Sequence, residues 1–194
     1  HTQLPAPSFS VRIWNGTPNE FLIKCAELTR TGVGLPAYYN DEVIIPALMS
    51  RGVTLADARE YGIIGCVEPQ KPFKTDGWHD AAFFNMCRPL ELVFSNGVDK
   101  GAQISIKTGN VEDMTTFEEF YNAYKAQETY MIGLMVNAIN AIDTAHSERV
   151  PLPFLSCMVE DCVKEGKTVQ EGGAHYNFTG PQGFGIANMA DGLW

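Results

Sequence analysis

The sequence has few basic residues and no long apolar run. Lysine and arginine together number 14 against 23 aspartates and glutamates, which gives a formal net charge of −9 at pH 7. A domain this acidic repels a phosphate backbone, so nucleic acid is not expected as a partner. No apolar stretch approaches the roughly 20 residues of a transmembrane helix, and no basic segment followed by an apolar one indicates a secretory signal. No membrane partner is expected.

Motifs for redox, metal or nucleotide chemistry are also missing. The five cysteines are an odd number and include no CxxC pair, so all except Cys66 are predicted to be reduced core thiols in a cytoplasmic protein. His146 and His175 have no partners at metal-ligand spacing, which leaves a zinc site unsupported. The glycines from Gly180 to Gly185 match neither a P-loop nor a dinucleotide-binding fingerprint.

What is present is the composition and patterning of a globular α/β protein. Apolar residues make up 45% of the chain and charged residues only 19%, which predicts one domain with a hydrophobic core. Strand patterns alternate with helix patterns, so parallel strand pairing is expected. The helical pattern from Ala187 to Trp194 has no stop signal. We therefore expect part of a larger barrel, incomplete at both ends.

Local signals place the elements along the chain. Residues 9–13 alternate as in a half-buried strand. Helix starts are predicted at Thr17, after Asn40, at Thr54, and at Thr115 or Thr116. A further helix is predicted from Trp78, with a stripe of apolar side chains on one face, and a last strand from His175 to Phe178 leads into a glycine-rich turn over Thr179–Gly185. The stripe consists of Phe83, Cys87, Leu90 and Phe94.

Cys66 and Glu68 are the residues best placed to carry chemistry. They follow a short apolar strand, and side chains two apart on an extended chain face the same side, so a thiol and a carboxylate would share one space. Gly65 permits close backbone approach, and Pro69 stiffens the exit from the loop. The alternative is a small core cysteine beside a solvated glutamate, because free cysteines are usually buried and inert.

A thiol hydrolase is a second possibility, with His79 or His175 as the base for Cys66. Thiolates are stabilised by helix N-termini or cations, whereas Cys66 lies on a strand and loop beside an acid. These surroundings favour the neutral thiol, which suits hydrogen-atom transfer better than thiolate attack.

Asp80, at the start of the predicted helix, interacts either with the helix dipole or with a substrate hydroxyl in a pocket.

Several segments resemble the glycyl radical enzymes, and in particular their dehydratase branch. Gly65-Cys-Val-Glu-Pro69 is similar to the active-site motif of that family, and the likeness extends over essentially the whole chain. Three further segments carry the resemblance: Asn40-Asp-Glu-Val-Ile-Ile45, Gly77-Trp-His-Asp-Ala-Ala-Phe-Phe84 and Gly172-Gly-Ala-His-Tyr-Asn-Phe178.

The resemblance implies a pyruvate formate-lyase-like α/β barrel, of which residues 1–194 would be a single segment of the catalytic domain. Cys66 would become a thiyl radical and Glu68 would be the general base. Asp80, His79 and Phe83 would contact a small-molecule substrate. No cofactor would bind in this chain, because the radical resides on a glycine elsewhere and is installed by a separate S-adenosylmethionine/iron–sulfur activating enzyme.

The Trp78-His79-Asp80 context is similar to that of the glycerol and propane-1,2-diol dehydratases and differs from that of the choline lyases. Dehydration of a small diol is therefore expected, with a C–S lyase acting on isethionate or a non-catalytic structural fragment as alternatives. The Arg-Val-x-Gly motif of the glycyl radical domain is absent, so the chain alone is expected to be inactive and to associate with the remainder of its polypeptide. A cytoplasmic homodimer, free or inside a bacterial microcompartment, is the form that the resemblance implies.

Overall fold

The computed structural model describes residues 8–194 and contains helices joined by short strands. The helices are α1 (Asn19–Leu28), α2 (Asp41–Ser50), α3 (Leu55–Arg59), α4 (Cys87–Phe94), α5 (Phe117–Arg149), α6 (Pro153–Ser156), α7 (Cys162–Glu165) and α8 (Ile186–Leu193). The strands are β1 (Ser10–Ile13), β2 (Ala37–Asn40), β3 (Gly62–Ile64), β4 (Glu68–Gln70), β5 (Thr75–Asp76), β6 (Ala82–Asn85), β7 (Val98–Asp99), β8 (Ala102–Gln103), β9 (Tyr176–Asn177) and β10 (Pro181–Phe184).

The strands of the described residues pair two by two. The pairs β1–β2, β5–β9 and β6–β10 are parallel, and the first of these joins elements on either side of α1, as expected of an α/β chain. The pairs β3–β4 and β7–β8 are antiparallel hairpins. No closed barrel forms within residues 8–194, which is consistent with a partial chain.

Three of the predicted helix starts are confirmed by their caps. The side chain of Asn40 accepts a hydrogen bond from the Glu42 amide at the start of α2, and Thr54 caps α3 in the same way through the Asp57 amide. Thr116 and Glu119 form a complete capping box at the start of α5. The predicted cap at Thr17 is wrong: its hydroxyl instead accepts from the Trp14 amide at 2.8 Å, and α1 begins after Pro18.

The helix predicted from Trp78 is also wrong in its first half. Residues 82–85 form β6, and only the segment from Cys87 onward is helical. The reason is a distant partner, because residues 181–184, predicted as a turn, form β10 and pair with β6. The C-terminal strand prediction is confirmed in β9, and the helical pattern near the end is confirmed in α8.

Within residues 8–194 the core is divided into three clusters, each packed between different elements. One lies between α4 and α5, where Leu90 and Val93 meet Ala123 and Tyr124. A second joins Val53, Ala58 and Tyr176, and the third joins Cys162, Val169 and Ala174. None of the helices between residues 8 and 194 combines the length and the apolar composition of a membrane span.

Candidate functional site

Cys66 lies at the tip of the hairpin formed by β3 and β4. Ile64 pairs with Glu68, so Gly65, Cys66 and Val67 form the loop between the two strands. Gly65 has a φ of 58°, in the left-handed region that a side chain disfavours. This turn projects the Cys66 side chain outward, and the residue is exposed.

The Glu68 carboxylate folds back over the same loop. Its Oε2 atom accepts hydrogen bonds from the amides of Cys66 and Val67, each at 2.9 Å. The carboxylate is therefore held at the Cys66 backbone by a tight turn, whereas the sequence had predicted an extended strand with both side chains on one side. A Cβ atom on Gly65 would lie 2.8 Å from this oxygen, so an added side chain would displace the carboxylate in addition to straining the backbone.

The amides of the hairpin also control the charge of Glu68. Burial alone would raise the pKa of its carboxyl, but the hydrogen bonds from Val67 and Cys66 stabilise the charged form and bring the pKa below its usual value. The positive charge that His79 can carry acts in the same direction. Glu68 is thus a charged carboxylate at neutral pH, the form that can accept a proton.

Asp80 lies in the turn before β6 and not at a helix start. The side chain of Gln182 on β10 connects it to the hairpin: Gln182 Nε2 donates to Glu68 Oε1 at 2.9 Å and also to Asp80 Oδ1. The structure therefore brings Glu68 and Asp80 to one place. Sequence reasoning missed Gln182, because it lies 114 residues from Glu68 in no recognisable motif.

His79 is half-buried and contacts two glutamines. Its Nε2 atom is 2.9 Å from Oε1 of the buried Gln70, and its backbone carbonyl accepts from Gln182 at 3.3 Å. His175 is hydrogen-bonded to Asp161 at 2.7 Å. Among the described residues neither histidine is hydrogen-bonded to Cys66, so the Cys/His pairing of a thiol hydrolase is not formed.

Phe83 lies on β6 and not one helical turn beyond His79, as the predicted helix would have placed it. It pairs in register with Gln182, so the two side chains extend from the same face of the β6–β10 ribbon. Phe83 is 64% exposed, which makes it an apolar surface beside the Glu68–Gln182–Asp80 group.

A cluster of potential metal ligands and the other four cysteines lie outside the Cys66 hairpin. Glu160, Asp161 and His175 place one potential metal ligand each within 4.8 Å of the others, a grouping that sequence spacing did not reveal. The five cysteines are free: Cys25 and Cys162 are buried as predicted, whereas Cys157 is exposed and Cys87 is half-buried. The prediction of a core position for Cys157 is therefore wrong.

Comparison with known proteins identifies relatives along the full chain. A family model described as pyruvate formate lyase-like matches residues 1–194. The chain is 68% identical, with a TM-score of 0.90, to a solved structure that describes 1,2-propanediol dehydration in Roseburia inulinivorans; the match covers 98% of this chain and 24% of that one. It is 65% identical to the glycerol-bound B12-independent glycerol dehydratase of Clostridium butyricum, with a TM-score of 0.90 and the same coverage of both chains.

A curated relative is more distant but equally complete in its match. The (2S)-3-sulfopropanediol dehydratase of Klebsiella oxytoca is 39% identical over 195 residues, which is 100% of this chain and 24% of the relative. The chain thus spans about a quarter of the length of the proteins it matches. It belongs to the pyruvate formate lyase-like family of glycyl radical enzymes.

Proposed function

We propose that this chain carries the thiyl-radical site of a lyase that dehydrates a small diol, glycerol or propane-1,2-diol, to an aldehyde. The observation that carries the proposal is the hairpin itself, which presents Cys66 at its tip and holds the Glu68 carboxylate against the same loop. The similarity to one structure of 1,2-propanediol dehydration and one of a glycerol dehydratase supports the choice of substrate.

The chemistry assigns different tasks to the thiol and the carboxylate. Once the hydrogen atom of its thiol has been removed, the Cys66 sulfur abstracts hydrogen from a substrate carbon that carries a hydroxyl. Glu68 accepts the proton of that hydroxyl, and the resulting ketyl radical expels the neighbouring hydroxyl, which leaves as water with the returned proton. The product radical then recovers its hydrogen atom from Cys66, so the cycle is redox-neutral.

Three residues near the hairpin bind the substrate in this proposal. Asp80 accepts a hydrogen bond from a diol hydroxyl. Its carboxylate is close to that of Glu68, because both accept a hydrogen bond from the side-chain amide of Gln182. His79, held by Gln70, contributes to the polar side of the pocket. Phe83 supplies an apolar wall, which limits side reactions of a radical with water.

The complete enzyme requires partners that lie outside residues 1–194. The radical is carried by a glycine elsewhere in the polypeptide, since no Arg-Val-x-Gly motif occurs in this sequence. A separate activating enzyme, which uses S-adenosylmethionine and an iron–sulfur cluster, generates that radical. Residues 1–194 form one segment of the catalytic domain in a cytoplasmic homodimer, free or within a microcompartment, and the free cysteines support a reducing compartment.

An anaerobic product assay tests the proposal. The complete polypeptide is activated and offered glycerol, propane-1,2-diol and isethionate separately, with Cys66→Ala as the control. Aldehyde from either diol, lost in the control, is the expected result. Sulfite from isethionate without diol turnover would reassign the enzyme to C–S cleavage. No product from any of the three, despite a glycyl radical signal, would refute the proposed substrate class.

A further inference from the structure

Gln182 is the one side chain of the described residues that touches both carboxylates of the candidate site. Its Nε2 atom donates to Glu68 Oε1 at 2.9 Å, to the His79 carbonyl at 3.3 Å and to Asp80 Oδ1. All three partners are acceptors, which fixes the orientation of the amide, because the Oε1 atom of Gln182 could bind none of them. Gln182 is half-buried, so water competes only in part for these hydrogen bonds.

The backbone fixes the position from which Gln182 reaches the site. β10 runs parallel to β6, and the register sets Gln182 beside Phe83. Just before β10, the Gly180 amide donates to the Trp78 carbonyl at 3.2 Å, and the Ala81 amide donates to the Gly180 carbonyl at 3.3 Å. A Cβ atom at Gly180 would lie 3.0 Å from the His79 Cα, so this glycine allows the two backbones to approach closely.

Two carboxylates that share one small space repel each other, which either raises one pKa or drives the side chains apart. A neutral amide that donates to both stabilises both charges without neutralising either. The other groups that face Glu68 are the hairpin amides, His79, and Tyr39 on β2, whose buried phenol has a raised pKa. Of the described side chains that contact Glu68, Gln182 is the one that also donates a hydrogen bond to Asp80.

We infer that Gln182 is a positioning residue of the radical site, which fixes the Glu68 and Asp80 carboxylates relative to each other and to the Cys66 hairpin, an inference that rests on the proposed diol chemistry. The proton acceptor and the hydroxyl-binding carboxylate must contact one small substrate together. The amide sets the separation between them and therefore the spacing of the two substrate hydroxyls that the site accepts.

The test compares Gln182→Met, which keeps the shape but removes the donor, with the wild-type complete enzyme. Because a hydrogen bond to a charged group is lost, kcat/KM for the diol should fall about 10- to 100-fold. The acid limb of the kcat/KM profile should move to higher pH, since a carboxylate that loses a donor has a higher pKa. Gln182→Glu should move the limb further, because it adds a third negative charge. A purely structural role would lower activity without moving this limb.

Controls separate this inference from a folding defect and from the proposed function. Gln170→Met changes a half-buried glutamine away from the site, bonded to the Leu152 amide, and should leave the profile unchanged. Glycyl radical content, measured by electron paramagnetic resonance, should match wild type in each variant. Amide hydrogen exchange at Cys66 and Val67 gives a readout without turnover, and it should accelerate several-fold in Gln182→Met as Glu68 loosens.

If the wild-type enzyme converts no diol, the proposed function fails, and the exchange comparison alone decides whether Gln182 holds Glu68. Unchanged exchange in Gln182→Met would overturn the inference. Where diols are converted, a profile and kcat/KM within about twofold of wild type would overturn it as well.

Discussion

The two oxygens of Glu68 have different surroundings, and this difference assigns the proton acceptor. Oε2 accepts from the amides of both Cys66 and Val67, whereas among the described residues Oε1 accepts from Gln182 only. A carboxylate offers about four lone-pair positions, two on each oxygen. One position on Oε1 therefore remains for a substrate hydroxyl, and Oε1 is the atom expected to receive the proton.

Glu68 and Asp80 should give different kinetic signatures when each charge is removed. Glu68→Gln removes the proposed base and should lower kcat by about 10²–10⁴-fold. Asp80→Asn removes the charge proposed to bind a substrate hydroxyl and should raise KM more than it lowers kcat. Steady-state kinetics of the complete activated enzyme measure both. Glu60→Gln, at the exposed end of an ion pair with Lys71, is the control expected to match wild type. Equal effects on kcat and KM in both site variants would contradict the separate roles.

Gly65 should be intolerant of even one added methyl group. In Gly65→Ala the Cβ atom would be 2.8 Å from Glu68 Oε2, so the carboxylate must leave the Cys66 and Val67 amides, and activity should fall at least about 10-fold. Gly101→Ala is a matched control, because Gly101 also has a positive φ, of 81°, but nothing lies within 4 Å of its added Cβ. Turnover of the two variants separates the contact from the backbone strain that both share. Equal losses would mean that conformation alone explains the glycine.

Among single residues, sequence reasoning identified those whose contact partners are close to them in the chain. Cys66 and Glu68 stand in one motif, and Asp80 lies in the segment Gly77–Phe84, which also carries the family resemblance. Gln182 could not be found, because its contact with Glu68 spans 114 residues and depends on the register of β10 against β6. A lone glutamine in a glycine-rich stretch carries no local signal.

Among the elements, Tyr176 connects β9 to the start of α3. Its hydroxyl donates to the Asp57 carboxylate at 2.7 Å and accepts from the Thr54 amide at 3.2 Å. Asp57 also accepts from the Thr54 hydroxyl, and Lys74 lies 3.2 Å from it. The Tyr176 hydroxyl lowers the pKa of Asp57, and Lys74 and Thr54 add to this effect against the opposing contribution of burial.

Removal of this hydroxyl should loosen α3. Tyr176→Phe removes one of the donors to the buried Asp57 carboxylate and leaves the Thr54 amide without its acceptor, which should cost about 1–3 kcal/mol of local stability. Hydrogen exchange of the α3 amides in the complete polypeptide measures the change. Tyr130→Phe is the control, because the hydroxyl of Tyr130 makes no hydrogen bond to the described residues. Unaltered exchange of α3 in Tyr176→Phe would refute the connection.

The same element should respond to pH in a defined direction. Asp57 has a lowered pKa in the folded state, so its stabilising contribution is complete above the ordinary aspartate value of about 3.9 and is lost as the pH falls below it. Opening of α3 should therefore increase below about pH 4. In Tyr176→Phe, where the folded pKa rises toward the ordinary value, this acid-dependent loss should be smaller.

Element prediction succeeded where the signal was a local cap and failed where pairing was distant. Asn40, Thr54 and Thr116 each bond an amide two or three residues ahead, so a few letters of sequence suffice. Residues 82–85 carry an apolar pattern compatible with a helix, but the edge of β10 provides strand partners that no local rule contains.

For the whole molecule, the described residues leave several large apolar side chains in solvent. Phe73 is 76% exposed, Val163 is 73% exposed and Met158 is 49% exposed, and all three line one depression with Cys157. Glu160, Asp161 and Lys164 line the same depression, and exposed apolar side chains grouped among polar ones are typical of an interaction surface. The chain spans about a quarter of the length of its relatives, and we expect the remainder of the polypeptide to cover this patch.

Cys157 provides a direct measurement of whether this patch is covered. In the isolated chain its exposed thiol should react readily with an alkylating reagent, whereas Cys25 and Cys162, buried within the segment itself, should stay protected and report that the chain is folded. In the native complete polypeptide Cys157 should become as protected as Cys162, because apolar surface from the rest of the chain would exclude the reagent. Mass spectrometry of the labelled peptides distinguishes the sites, and labelling in denaturant gives the upper limit for each. If Cys157 reacts equally fast in both forms, the patch is open in the complete protein, and its apolar side chains must then serve a partner other than the remainder of the polypeptide.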